Sequence, residues 1–206
     1  MTRAVETSQP RVVLASSSAT RREMLEAVGL QIGFQTPEVD EDAIKRAMLA
    51  RGAPPADIAV ALAEKKALTV AAAYREALVI GADQVLICDG VLFDKPPDMA
   101  AARQTLTSLR GRGHELITAV AVARGEEVIW QHRERAALAM RALSDGEIDR
   151  YLSQAGNAVL HSVGAYQLEG PGAQLFERVD GDFFTILGLP LLPLLAFLRR
   201  HDIVPG

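Results

Sequence analysis

Much of what a functional site can be built from is scarce in this chain. A single cysteine, Cys88, excludes an internal disulfide and a thiolate metal cluster; set in an apolar run, it reads as core. No apolar stretch reaches membrane-spanning length, and the first ten residues, MTRAVETSQP, lack the apolar segment of a secretory signal. The expectation is a soluble cytoplasmic protein, not associated with membranes, with a short disordered tail over residues 1–10. Neither sign of charge dominates: 22 Lys and Arg stand against 26 Asp and Glu, a formal net charge of −4. Without a broad basic field a nucleic acid polymer is excluded as partner, and local cations must serve a small anion. No repeat or low-complexity linker divides the 206 residues, and 49% hydrophobic content suffices for a proper core. One domain is expected over 11–200, with a polar, frayed tail over 201–206.

What is present begins with RVVLASSSATRREMLEAVGL, Arg11 to Leu30. Val12 to Ala15 reads as a buried strand, three serines break it, and Arg21 and Arg22 open a helix whose Met24, Leu25 and Val28 keep helical spacing. The unpaired N–H groups of a helix's first turn favour an anion. Two arginines there are otherwise unwelcome, because they meet the positive end of the helix dipole. Capping by Ser18, or by Thr20 with Glu23, explains the serines but not the paired arginines. The glycine spacing of a Walker A loop is absent.

Downstream, Gln31 to Val39 reads as a strand ending in an acidic turn, Glu38 to Asp42, either solvated or a cation site. Ala43 to Ala50 is helical, and Asp57 is expected to cap a long helix to about Tyr74, with Lys65 or Lys66 pointing inward. Ala77 to Ile87 is strand-like, interrupted at Gly81 to Gln84. Apolar on both flanks, it reads as a central strand, where Asp83 is costly unless it is paired or binds a metal; the alternative is a solvent-facing bulge marked by Gly81. A turn at Asp89-Gly90 returns the chain as Val91 to Phe93 and can bring Lys95 beside Asp83. Asp98 caps a helix over Met99 to Leu109. His114 to Val122, Glu127 to Arg135 and Ala136 to Leu143 read as three strands, and Ser144 with Glu147 forms a capping box for a helix to Ala155. Ser162 to Gly188 is glycine-rich, suiting either turns or close approach to a ligand. Leu191, Leu192, Leu194, Leu195 and Leu198 are expected to pack a last helix.

Arg21, Glu41, Lys66, Asp83 and Lys95 together are equipment for phosphoanhydride hydrolysis, in which cations and a metal spread charge while a carboxylate orients water. The order of motifs resembles the Maf-like nucleotide pyrophosphatases, also described as septum-formation inhibitors. The resemblance runs from Val12 to about Leu198 through Leu14-Ala15-Ser16, Ser18, Arg21-Arg22, Val39-Asp40-Glu41, Ala63 to Ala67, Gly81 to Val85, Lys95-Pro96, Gly111 to Thr118 with His114, Gly181-Asp182 and Gly188 to Leu191. It implies an α/β fold, a mixed central sheet flanked by helices, with an active-site cleft between two lobes. It implies cleavage of nucleoside triphosphates at the α–β anhydride, giving the monophosphate and pyrophosphate, with a divalent cation, Mg²⁺ or Mn²⁺. By position, Asp83 is implied as the water-activating carboxylate and, with Glu41, as a metal ligand. Arg21, Lys66 and Lys95 are implied as phosphate clamps and Ser16 as a wall of the pocket.

The chain departs from the family at Ala19, where a proline is usual, and at Thr20. There the branch acting on thymidine and uridine triphosphates has arginine, and the branch acting on 7-methylguanosine triphosphate has tryptophan. Gln84 and Glu169 resemble the latter branch, and a carboxylate at 169 can accept guanine's N1–H and N2–H. The sequence therefore leans to a 7-methyl-GTP-like purine. A dTTP/UTP pyrophosphatase, or a division regulator that binds nucleotide without needing catalysis, is the alternative, and a homodimer stays open.

Overall fold

The computed structural model describes residues 10–205, so the tail expected over 1–10 lies, apart from Pro10, outside the described residues. The strands are β1 (Val12–Ala15), β2 (Gly33–Gln35), β3 (Leu78–Cys88), β4 (Val91–Phe93), β5 (Gly113–Arg124), β6 (Glu127–Met140) and β7 (Phe176–Asp180). They form one mixed sheet in the order β2-β1-β3-β5-β6-β7, with β4 also on β3. β1 pairs parallel with β2 and β3, and every other pairing is antiparallel. Flanking it are α1 (Ala19–Ala27), α2 (Glu41–Leu49), α3 (Pro55–Ala71), α4 (Met99–Leu109), α5 (Asp145–Ala155), the short α6 (Phe183–Ile186) and α7 (Leu191–Arg199).

The pairing along β3 places the site. On one edge β5 runs beside it without a break, from Val79 opposite Ala123 to Ile87 opposite Glu115. On the other, β1 pairs with Leu78 to Gly81 and β4 with Leu86 to Cys88. Ala82 to Val85 therefore have no strand beside them on that edge among the described residues. The interruption expected at Gly81 to Gln84 is not a bulge, because the strand continues through it. Gly81 serves packing instead: a Cβ there would stand 2.2 Å from the Ala63 carbonyl oxygen and 2.6 Å from the Ala67 nitrogen. Its absence lets α3 lie directly on β3, which shows as full burial of Ala63 and Ala67.

The apolar interior has two main bodies. Leu86, Leu106, Leu116, Met140 and Ile148 pack under α4 and α5, while Leu14, Leu25, Ile80, Val120 and Leu194 pack under α1 and α7. A cleft opens between them, giving the expected two lobes on one sheet.

Several expected elements are corrected. β2 spans only Gly33–Gln35, shorter than Gln31 to Val39. Ala136 to Leu143 is not a separate strand: Ala136, Leu138 and Met140 continue the alternation of β6 and are buried on its inner face. Asp57 does not cap α3, which starts with Pro55 after Pro54, and its carboxylate pairs with Arg133 at 2.8 Å. On α7, Leu192 is 58% exposed, and Phe197 is buried in its place, as helical spacing from Leu194 and Leu198 requires. Beyond Arg199 the chain does not leave the body, since Ile203 and Val204 pack against the α7 cluster. No described helix is long and apolar enough to cross a membrane.

Candidate active site

β1 ends at Ala15 and hands the chain to the serine loop, while β4 ends at Phe93 before Asp94 and Lys95. Both ends stand beside the unpaired stretch of β3 that holds Asp83. There the cleft, about 800 Å³, is walled by Ser17 to Arg21, Val39 to Asp42, Lys45, Lys66, Asp94 and Lys95 on one side, and by His161 to Val163 and Tyr166 to Glu169 on the other. Its size falls in the range of pockets that bury small ligands.

The serine loop is built to aim Arg21. Ser18 caps α1, its Oγ accepting the Arg21 N–H at 3.3 Å, so the cap is Ser18 and not Thr20. Ser16 Oγ accepts the Ser18 N–H at 3.1 Å. Ser16 Oγ also accepts from Arg21 Nη1 at 3.5 Å, which ties the loop to the guanidinium. Arg21 donates from Nε to the Gly188 carbonyl at 2.7 Å and from Nη1 to the Ala82 carbonyl at 2.8 Å. The second acceptor is available because β3 has no neighbour there. Nη2 has no partner among the described residues. Burial pushes the guanidinium pKa below its ordinary value, against the pull of Asp83 and Glu41. Arg22 turns away, its guanidinium lying 5.0 Å from the centre of the Phe34 ring.

Gly188 sits at φ +100°, and a Cβ on it would come within 3.2 Å of Arg21 Nε. In this part of the glycine-rich stretch the missing side chain makes room for a guanidinium, not for a ligand.

Lys66 is the centre of the site. Of the two adjacent lysines on α3 it is the one that turns inward; Lys65 is exposed. Lys66 Nζ lies 2.5 Å from Asp83 Oδ1 and 2.9 Å from Glu41 Oε1, with only 8% of the lysine and aspartate side chains exposed. Full burial of a lone carboxylate in a central strand is prohibitive, and the ammonium offsets it. Glu41 arrives as the first residue of α2, capped by Asp40, which accepts the Ala43 N–H at 2.9 Å. Burial works to raise the Glu41 carboxyl, but Lys66, with Lys45 and Lys95 behind it, holds it below its ordinary value. Lys95, at the mouth, has its pKa lowered by burial and by the nearby Arg21 and Lys66. It makes no ion pair with Asp83, so the two share the cleft without touching.

Thr20, Gln84 and Glu169 all line the cleft. Gln84 is chiefly a strut: its amide nitrogen donates to Thr118 Oγ1 at 2.8 Å and to the Ile186 and Thr185 carbonyls at 3.0 and 3.1 Å. Only its side-chain oxygen lacks a partner among the described residues. Lys45 and Asp94 are additions that sequence reading does not single out, although Lys45 stands four residues after Glu41 and helical spacing alone puts it on that face. Under the far wall, His114 Nε2 and Tyr166 Oη are 2.8 Å apart in the core.

No group of three or more metal-binding side chains occurs among the described residues. The chemistry still suits a small hard cation. Asp83 and Glu41 supply oxygen donors around one point already held by an ammonium, and Mg²⁺ is commonly bound by one or two carboxylates plus substrate phosphates.

A family model described as Maf-like protein matches residues 11–201. The chain belongs to the Maf-like protein family. Among relatives of this Maf-like chain, a nucleoside triphosphate pyrophosphatase from Paramagnetospirillum magneticum is 52% identical over 194 residues, 94% of this chain and 100% of that protein. One of the same name from Granulibacter bethesdensis is 50% identical over 93% of this chain and 98% of its own length. A 7-methyl-GTP pyrophosphatase from Rhizobium meliloti is also 50% identical, over 93% and 96%. A solved nucleoside-triphosphatase / dITP/XTP pyrophosphatase from Mycobacterium abscessus aligns with 94% of this Maf-like chain and 97% of its own at 14% identity and TM-score 0.38, and nothing about the site rests on it.

Proposed function

We propose that this Maf-like protein is a cytoplasmic nucleoside triphosphate pyrophosphatase, hydrolysing the α–β phosphoanhydride to nucleoside monophosphate and pyrophosphate. The observation that carries the reading is Asp83, almost fully buried at the floor of a cleft of nucleotide size and flanked by Lys66, Glu41 and Arg21. The names of relatives at about half identity point the same way.

In this mechanism Arg21 Nη2, Lys66 and Lys95 orient the phosphates and take up charge that builds on their oxygens. Lys66 binds Asp83 through Oδ1, leaving Oδ2 with no partner among the described residues to receive a proton from water. The water oxygen bonds to the α-phosphorus as the bridging P–O bond breaks, and that electron pair leaves on pyrophosphate. Asp83 and Glu41 would hold the divalent cation, which when bound neutralises phosphate charge. For the base we favour a 7-methyl-GTP-like purine. Glu169 offers acceptors at the far wall, and relatives named 7-methyl-GTP pyrophosphatase support the choice.

The test is pyrophosphate release with Mg²⁺ or Mn²⁺ over a panel that includes 7-methyl-GTP, GTP, dTTP and UTP. At least one triphosphate should turn over, and Asp83→Asn should lose at least about a hundredfold of that rate. A wild-type protein inert on the whole panel would end this reading.

A further inference from the structure

The cations of the cleft differ in how firmly the protein holds them. Lys66 is fixed between Asp83 and Glu41, and Arg21 is fixed by the Gly188 and Ala82 carbonyls. Among the described residues Lys45 is held by one polar contact only, Nζ to Asp94 Oδ1 at 2.7 Å. That contact joins α2 to the segment after β4, and both of its members line the cleft. Its partners are unequal: the Lys45 side chain is 23% exposed and that of Asp94 is 69% exposed. The ammonium thus lies at the cleft wall, while its carboxylate stands in water.

An ion pair with so exposed a member contributes at most about 1 kcal/mol and opens readily. It is too weak to fasten α2 to the sheet, yet it keeps a cation at the lip. Four residues before Lys45 on the same helix face is Glu41, and both line the cleft with Asp83, so a side chain that leaves Asp94 stays within it. A polyanion presents several oxygens at once and competes effectively with a single hydrated carboxylate.

We propose that Lys45 is a transferable ligand for the terminal phosphates, held by Asp94 in the empty cleft and surrendered to a triphosphate or to pyrophosphate on entry. The proposal rests on the reading of the cleft as a triphosphate site. It assigns Asp94 an unusual part: a carboxylate that weakens anion binding by competing for the lysine.

Opposite effects from the two partners make the test. Inorganic pyrophosphate with Mg²⁺ is titrated calorimetrically into the full-length protein and its variants. Lys45→Met, with Lys45→Gln as a second variant, should weaken binding about three- to tenfold, and Asp94→Asn should strengthen it about two- to fivefold. Asp94→Asn should have no effect once Lys45 is methionine, and affinity for GMP should be unchanged throughout. Unchanged pyrophosphate affinity in both Lys45 variants, or weakening by Asp94→Asn, overturns the proposal. Turnover is read separately. The predicted variant pattern without hydrolysis of any triphosphate would defeat the enzyme reading alone, and hydrolysis without the pattern would defeat this one alone.

Discussion

Replacing His114 by glutamine should remove most of the loss of folding stability between pH 6.5 and pH 5. The imidazole is 3% exposed, its Nε2 is paired with the Tyr166 hydroxyl, and its Nδ1 is buried with no partner among the described residues. Protonation would place a charge, and a second N–H lacking an acceptor, in the core. Burial accordingly lowers its pKa from 6.5 to about 4. Above pH 6.5 neither folded nor unfolded chain protonates this group, and its contribution is fully present. As pH falls from 6.5 toward 4 the unfolded chain binds a proton that the folded chain refuses, so stability is lost at about 1.4 kcal/mol per pH unit. That amounts to about 2 kcal/mol by pH 5. Glu41, whose folded pKa is depressed, withdraws its contribution only at lower pH, as pH falls below the unfolded value of 4.5. Urea unfolding followed by the fluorescence of Trp130 at pH 7, 6 and 5 measures the effect. The wild type should lose about 2 kcal/mol more than the variant over that range. Equal slopes for the two proteins would refute the buried, neutral imidazole.

Gly81→Ala should destabilise the fold by about 3 kcal/mol, because the new methyl meets α3 backbone and cannot be absorbed by a side chain. Since Lys66 and Asp83 face each other across that contact, pyrophosphate release should fall even at temperatures where the variant stays folded; full activity would show that the contact does not set the site. Lys66→Met should cost about 3–5 kcal/mol in urea unfolding by stranding Asp83, and adding Asp83→Asn should recover part of it. A double variant less stable than Lys66→Met would mean that the lysine contributes packing rather than charge.

The strand, serine loop and helix from Val12 to Ala27 are legible in the sequence because each rests on local chemistry: an apolar run, a capping serine and helical spacing. Asp83 stands out for a related reason, a carboxylate inside an apolar strand, and its answer is the partner that principle demands. What is not legible depends on contacts distant in sequence. Nothing near Gly81 reveals that its missing side chain admits a helix. Nothing near Gly188 shows that its carbonyl orients an arginine 167 residues away. Asp57 has the composition of a cap, but Pro54 and Pro55 set the start of α3 and leave Asp57 for Arg133.

β3, β5 and β6 each pass without interruption from one apolar body to the other, so the two bodies share the same three strands. Enzymes that close by swinging one domain over another need a hinge where the chain crosses between them. Here the crossing is hydrogen-bonded sheet, which resists such bending. Enclosure of the nucleotide proposed above would then come from local shifts, in α2 with the segment after β4 and in residues 161–169. Hydrogen exchange should accordingly report ligand binding in those rims while the shared strands keep the same protection throughout.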